Sequence, residues 1–235
     1  MADRRVLLVT GASRGIGRYL AEHYLARDME VVGCSRGKAE PISGANYNHY
    51  AADITLESDV VGLFADIRAR FGRLDIVLNN AAINPALSLS LLTSSEAATQ
   101  TMMTNVLGTF MVSREAAKLM MRKNWGRIVN FSSMAVRHEV PGEAIYTASK
   151  AAIQALTRVM AKELFRYGIT CNAIAPSALE TEMTKAIPRD ALNAILARNA
   201  IPDMGKLEDV SNAVDWLIRP ESQSITGQVI FLGGT

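Results

Sequence analysis

The chain has only two cysteines in 235 residues, Cys34 and Cys171, far apart in apolar segments and without a second thiol or histidine at metal-ligand spacing. This scarcity excludes a disulfide framework and a cysteine-based metal centre. Two buried thiols in a reducing compartment are expected, with no metal. Long apolar runs are missing too. Nothing approaches the ~18 residues that cross a bilayer, and the opening run stops after Val9 at Thr10-Gly11, too short for a secretory signal. A soluble, cytoplasmic protein without membrane contact follows as the expectation. An excess of one charge is also absent: 25 Lys plus Arg face 23 Asp plus Glu, for a formal net charge of +2. No basic run forms a track for nucleic acid, so a small, uncharged or weakly acidic ligand suits the chain better.

What the chain has is apolar residues, 49% of the total, enough for one large core at this length. Short aliphatic runs at Arg5–Thr10, Glu30–Cys34, Asn48–Ala52, Leu74–Asn79, Gly126–Ser132, Ile169–Ala175 and Gln228–Leu232 read as strands. Their near-continuous apolar character predicts burial on both faces. Between them, Gly15–Arg27, Leu56–Phe71, Ser95–Lys123, Ala144–Tyr167 and Leu207–Arg219 carry helical patterns. The alternation predicts an α/β fold, a Rossmann-type doubly wound parallel sheet of seven strands in a single domain spanning the chain. The Ser35–Tyr47 connection, rich in Gly, Pro, Ser and Asn, reads as a loop rather than a crossover helix.

Directly after the first strand comes Thr10-Gly-Ala-Ser-Arg-Gly-Ile-Gly17, followed by a helix. Gly11, Gly15 and Gly17 let the backbone turn tightly against a pyrophosphate, and the helix start at Ile16 offers free N–H groups and the positive end of a dipole. Ser13 and Arg14 complete this loop as a dinucleotide site. The second strand ends in Ser35-Arg36, where an NAD-type site would hold an Asp or Glu for the ribose 2′-hydroxyl. Without that acid, and with Arg36 and Arg14 available to a 2′-phosphate, NADP(H) is preferred over NAD(H).

Tyr146 and Lys150 stand four residues apart in a helical stretch, which sets a phenol and an ammonium side by side on one face. A free phenol titrates near pH ~10 and is a poor proton donor or acceptor at neutrality. An adjacent cation favours the phenolate, so the pair reads as a proton-transfer device.

With the glycine loop and this pair, the chain resembles the short-chain dehydrogenase/reductase family from Val6 to near its end. Asp53 and Ile54 resemble the adenine contact, and Asn79-Asn-Ala-Ala82, with Asn79 and Ala81 beside the cofactor, resembles the family's Asn-Asn-Ala-Gly signature. Asn105 matches the family's helix asparagine, and Ser133, thirteen positions before Tyr146, stands at catalytic spacing. Pro176 through Thr181 resembles the segment bordering the nicotinamide. Three departures are visible: Ala82 and Ser177 replace glycines, and the Ser35–Tyr47 connection is short.

The resemblance implies hydride transfer between a nicotinamide and a carbonyl or alcohol carbon, with Tyr146 as proton donor and Ser133 as hydrogen-bond donor to the same oxygen. Lys150 would lower the tyrosine pKa and hold the ribose, and Asn105 would keep a water behind Lys150. Substrate choice falls to the loops Ile83–Leu92, Met134–Glu143 and Ser177–Met204, whose Leu87, Met134, Leu179, Met183 and Ile187 suit an apolar body. The nearest reading is reduction of a 3-oxoacyl thioester on an acyl carrier protein. Asn124-Trp125 and Tyr167 stand where carrier-protein reductases often have arginine, with Lys123 and Arg166 nearby. The alternatives are an NAD(P)+-dependent secondary-alcohol dehydrogenase and a non-catalytic NADP(H)-binding regulator. The helices at Ser95–Lys123 and Ala144–Tyr167 are broadly apolar, and the resemblance to a family whose members pack these helices across two-fold axes implies a homotetramer, or else a dimer. His23 and His49 read as structural or surface groups, and His138 as solvated.

Overall fold

The computed structural model describes residues 4–37, 40–85, 87–179, 184 and 189–234. Seven parallel strands run β1 (Val6–Thr10), β2 (Glu30–Ser35), β3 (Tyr47–Ala51), β4 (Ile76–Asn79), β5 (Gly126–Phe131), β6 (Ile169–Ala175) and β7 (Val229–Phe231). They are ordered β3-β2-β1-β4-β5-β6-β7. Every residue of β1, β4, β5 and β6 is buried, whereas β3 at one edge and β7 at the other are mostly half-buried. The polar sequence of β3, Tyr-Asn-His-Tyr-Ala, belongs at an edge because only one of its sides meets a neighbouring strand.

The helices are α1 (Gly15–Leu25), α2 (Glu57–Phe71), α3 (Ser95–Met102), α4 (Thr109–Met120), α5 (Ala135–His138), α6 (Ala144–Leu164), α7 (Arg189–Leu196) and α8 (Leu207–Leu217). One face of the sheet is covered by α2, α4 and α6, the other by α1 and α8, giving two apolar clusters. Helix α2 shows how local sequence builds this layer. Val60, Leu63, Phe64 and Ile67 form its buried stripe at helical spacing. Acids occupy its first turn and arginines its last, matching the helix dipole, and Gly72 at φ 67° ends it.

The stretch Ser95–Lys123 is not the continuous helix its pattern predicts. A π-turn at Met103–Gly108 separates α3 from α4. Such a turn widens the helix by one residue and aims a side chain that a regular helix would not. Here that side chain is Asn105. Between β2 and β3 no helix occurs among the described residues, in line with the short polar connection.

The chain order runs outward from β1 to β3 and then crosses to β4 on the other side of β1. Loops leaving β1 and β4 therefore diverge, and the crevice above their carboxyl ends is where open α/β sheets bind ligands. No helix among the described residues is long and apolar enough to cross a membrane.

Candidate active site

Helix α6 buries Tyr146, Ser149, Lys150, Ile153, Thr157, Met160, Ala161 and Leu164. One stripe therefore packs the core along most of its length and, at its first two turns, brings the phenol and the ammonium under cover. Tyr146 is 9% exposed and Lys150 4%. The end of β5 supplies the facing pair of serines. Ser132 is structural: its hydroxyl donates to Lys150 O at 3.1 Å and accepts from Gln154 Nε2 at 3.0 Å, tying α6 to the sheet. Ser133 Oγ instead accepts from Ala135 N at 3.1 Å and lies near enough to the Tyr146 hydroxyl to draw its pKa down.

Burial pushes the Tyr146 phenol up to about 12, the Ser133 hydrogen bond draws it down, and the charge of Glu143 raises it. Burial also brings the Lys150 ammonium down to about 8. Lys150 Nζ lies 5.7 Å from the Tyr146 ring centroid and donates to Phe131 O at 2.8 Å. In the free protein desolvation is the largest influence on the phenol, and Ser133 draws it down.

Asn105 sits in the π-turn with both of its amide atoms engaged. Its Oδ1 accepts from Ile83 N at 2.8 Å, and its Nδ2 donates to Ile83 O at 2.9 Å and Ser149 Oγ at 3.0 Å. Ser149 Oγ in turn donates to Tyr146 O at 2.7 Å. The amide clamps the loop after β4 against the turn of α6 that carries the phenol.

The glycine loop is closed from several sides. Gly11 N and Ala12 N both donate to Cys34 O, at 2.8 and 3.1 Å, which seats the loop against the end of β2 and hence beside Ser35 and Arg36. Gly11 has φ 70°, and a Cβ there would stand 2.9 Å from Ala81 Cα. Asn80 Nδ2 donates to Thr10 O and Gly11 O, and Ala81 N donates to Thr10 Oγ1 at 3.0 Å. Sequence reasoning missed Asn80, although alternation at a strand end turns neighbouring residues to opposite sides. Asn79, expected at the cofactor, points its side chain into the core. Its Nδ2 donates to Ser113 Oγ at 2.7 Å and Asn130 Oδ1 at 2.8 Å, so it braces the sheet instead.

Arg14 and Arg36 are exposed and form no ion pair with a described residue. Ser35 Oγ donates to Gly37 O at 3.0 Å and lies 2.9 Å from His49 Nε2, giving His49 a structural place. Asp53 Oδ1 accepts from Thr55 N and Oγ1, and Ile54 is buried against Gly108. Pro176 is buried after β6, its carbonyl accepting from Met134 N at 3.2 Å. Thr181, Met183 and Ile187 lie outside the described residues. His138 is not simply solvated: its Nε2 lies 2.8 Å from Asn199 Oδ1, while Asn199 Nδ2 donates to Ser177 Oγ at 2.8 Å. The serine that replaces a glycine thus gains a tie that glycine could not make.

A family model described as Enoyl-(Acyl carrier protein) reductase matches residues 11–234. The chain is 35% identical over 237 residues to the 3-oxoacyl-[acyl-carrier-protein] reductase FabG of Escherichia coli (strain K12), covering 99% of this chain and 97% of that protein. It is 36% identical over 247 residues to a short-chain type dehydrogenase/reductase of Picea abies, covering 98% and 91%. The chain belongs to the short-chain dehydrogenase/reductase family.

Two solved structures of such oxidoreductases match this one throughout. ElxO with NADP bound superposes with a TM-score of 0.88 at 30% identity, covering 97% of each chain. A variant of actinorhodin polyketide ketoreductase with NADPH gives 0.89 at 27% identity, covering 100% of this chain and 97% of the other. The residues of this short-chain dehydrogenase/reductase fit a dinucleotide. The N-cap of α1, Arg14, makes no side-chain capping bond, so no side chain caps the helix's free N–H groups in place of a phosphate. Buried Lys150 gives a side-chain hydrogen bond only to Phe131 among the described residues, leaving donor capacity for a ribose hydroxyl.

Proposed function

We propose that this chain is an NADPH-dependent ketoreductase acting in the cytoplasm on a 3-oxoacyl thioester presented by an acyl carrier protein. The observation that carries the reading is the Ser133–Tyr146 hydroxyl pair, set at the mouth of the dinucleotide crevice on the same buried helix stripe as Lys150. When bound, the nicotinamide supplies the hydride. Tyr146 gives its proton to the carbonyl oxygen as negative charge develops there, and Ser133 donates a hydrogen bond to the same atom. Lys150 would bind the ribose, and its ammonium offsets the negative charge left on the phenol after proton transfer. Asn105 holds the wall formed by Ile83 in place.

Gly11, Ser13, Gly15, Ile16 and Gly17 would cradle the pyrophosphate, with Asp53, Ile54, Ala81 and Pro176 along the groove. Exposed Arg14 and Arg36, with Ser35 where an acid would stand, favour the 2′-phosphate of NADP(H). The similarity to the 3-oxoacyl-[acyl-carrier-protein] reductase of Escherichia coli supports the substrate class. Buried, free Cys34 and Cys171, each with its thiol pushed up to about 12 by burial, suit a reducing compartment.

Initial rates with NADPH and NADH, on 3-oxoacyl and enoyl thioesters and on a panel of secondary alcohols, test the reading. Turnover of 3-oxoacyl thioesters with NADPH ahead of NADH is expected. Reduction of enoyl thioesters alone, or oxidation of alcohols alone, would replace it, and absence of all turnover would leave a binding protein.

The protonation states add a pH prediction. Tyr146 keeps its proton up to about 12, whereas Lys150 is an ammonium below about 8 and neutral above it. Because kcat/KM reports groups of the free enzyme, kcat/KM for the cofactor should fall as pH rises through 8. A profile flat to pH 10 would remove Lys150 from that role.

An apolar groove of about 630 Å³, lined by Met102, Met103, Val106, Leu107, Phe110 and Leu156 among others, opens on the face shared by α3, the π-turn, α4 and α6. A second copy laid on this face would begin the proposed homotetramer. Sedimentation equilibrium should give a tetramer that Phe110→Glu splits into smaller species, and a monomeric wild type would contradict it.

A further inference from the structure

Glu143 takes no part in the steps above, yet its charge reaches the phenol that carries them. It is the N-cap of α6, three residues before Tyr146, with φ −112° and ψ 20° just outside the helix. It is a carboxyl only 8% exposed. Its backbone is fixed, since its carbonyl accepts from Thr147 N at 2.8 Å. Among the described residues its side chain has one hydrogen-bond partner, Asn84 Nδ2 at 3.4 Å, a distance at the weak end of the range. No arginine or lysine pairs with it among the described residues. The remaining carboxyl oxygen has no partner there either and is not fully enclosed.

Asn84 belongs to the loop after β4, next to the Ile83 that Asn105 clamps, and the same loop is tied to the start of α6 by Ser88 N donating to Gly142 O at 3.1 Å. Glu143 therefore occupies a rigid corner between the two walls that flank the phenol. Burial raises the pKa of its carboxyl, the Asn84 hydrogen bond and the charge of His138 lower it, and its own charge opposes the ionisation of Tyr146.

We infer that Glu143 determines specificity by charge: its carboxyl in this corner turns away substrates with a free carboxylate beside the reacting ketone and admits the uncharged ester or thioester. This deepens the ketoreductase reading and rests on it. In a 3-oxo acid the carboxylate is one carbon removed from the carbonyl that Tyr146 protonates. Placing that carbonyl at the phenol brings two negative groups together in a partly desolvated site, where repulsion is screened far less than in water. A thioester carries no such charge.

The test compares kcat/KM for ethyl acetoacetate with that for acetoacetate in the same enzyme preparation. Wild type is expected to favour the ester strongly. Glu143→Gln should lower that ratio about tenfold, mainly through a smaller KM for acetoacetate, and Glu143→Asp, which keeps the charge, should retain most of the discrimination. Because the ratio is taken within each variant, loss of folded protein cancels, and Glu143→Ala serves if the glutamine variant does not express. A ratio unchanged by both neutral variants overturns the inference while leaving the ketoreductase reading intact. A wild type that reduces neither compound overturns that reading, and the inference with it.

Discussion

Tyr146→Phe should cut kcat for ketone reduction by roughly a thousandfold while NADPH still binds, because proton transfer from a positioned side chain contributes about 10²–10⁴ in rate. The variant keeps the ring, 9% exposed, and with it the packing that holds the first turns of α6. What it loses is the hydroxyl, the group that meets Ser133 and would meet the substrate oxygen. Removing one buried hydroxyl from a hydrogen-bonded pair changes stability by only about 1 kcal/mol. The effect should therefore appear in kcat with little movement in the melting curve or in NADPH affinity measured by fluorescence titration. Activity within tenfold of wild type would show that another group supplies the proton. Ser133 would be the first candidate, since among the described residues it is the hydroxyl that acts on the phenol.

Gly17→Ala should abolish measurable cofactor binding and also weaken the fold. A Cβ at this position would fall well inside contact distance of Gly11 O and 2.5 Å from Asn80 Nδ2. Neither neighbour yields easily. Gly11 is held at φ 70° with its N–H on Cys34 O, and Asn80 Nδ2 is bound to the Thr10 and Gly11 carbonyls. Relief requires α1 to move away from the loop, and overpacking of this kind costs about 1–3 kcal/mol. The same displacement moves the start of α1 relative to the Gly11 turn, the two parts that would bind a pyrophosphate together. Gly62→Ala is the control: nothing lies within 4 Å of a Cβ there, inside α2. That change should raise stability by about 0.5–1 kcal/mol with no effect on binding. Equal NADPH affinity in Gly17→Ala and wild type would disprove the proposed loop.

Much of this arrangement is legible in the chain because it is local. Continuous aliphatic runs mark strands buried on both faces, and their alternation with helical patterns dictates a parallel sheet. Burial on both faces, predicted for all seven strands, fails at β3 and β7, whose residues are mostly half-buried because each has a neighbouring strand on one side only. The glycine loop and the Tyr146–Lys150 spacing are short-range patterns whose geometry follows from a strand, a turn and a helix. The π-turn at Met103–Gly108 was not legible, since the apolar pattern runs through it unbroken and only the reach of Asn105 to Ile83 gives it a purpose. Nor could the Asn doublet be divided by inspection into the brace, Asn79, and the loop support, Asn80. That choice depends on which side of β4 faces Ser113 and which faces the β1 turn.

Sequence by itself determined the fold class, through alternation along the whole chain, and the glycine loop and the pairing of phenol with ammonium, each written within a dozen or so neighbouring residues. Tertiary structure alone decided how those groups are charged and what surrounds them. Burial holds Tyr146 near 12 and brings Lys150 near 8, and the meeting of α6 with the loop after β4 sets Glu143 beside the phenol. The physical reason is that solvation and the electrostatic field at a side chain depend on every segment that closes over it, and those segments lie far apart along the chain.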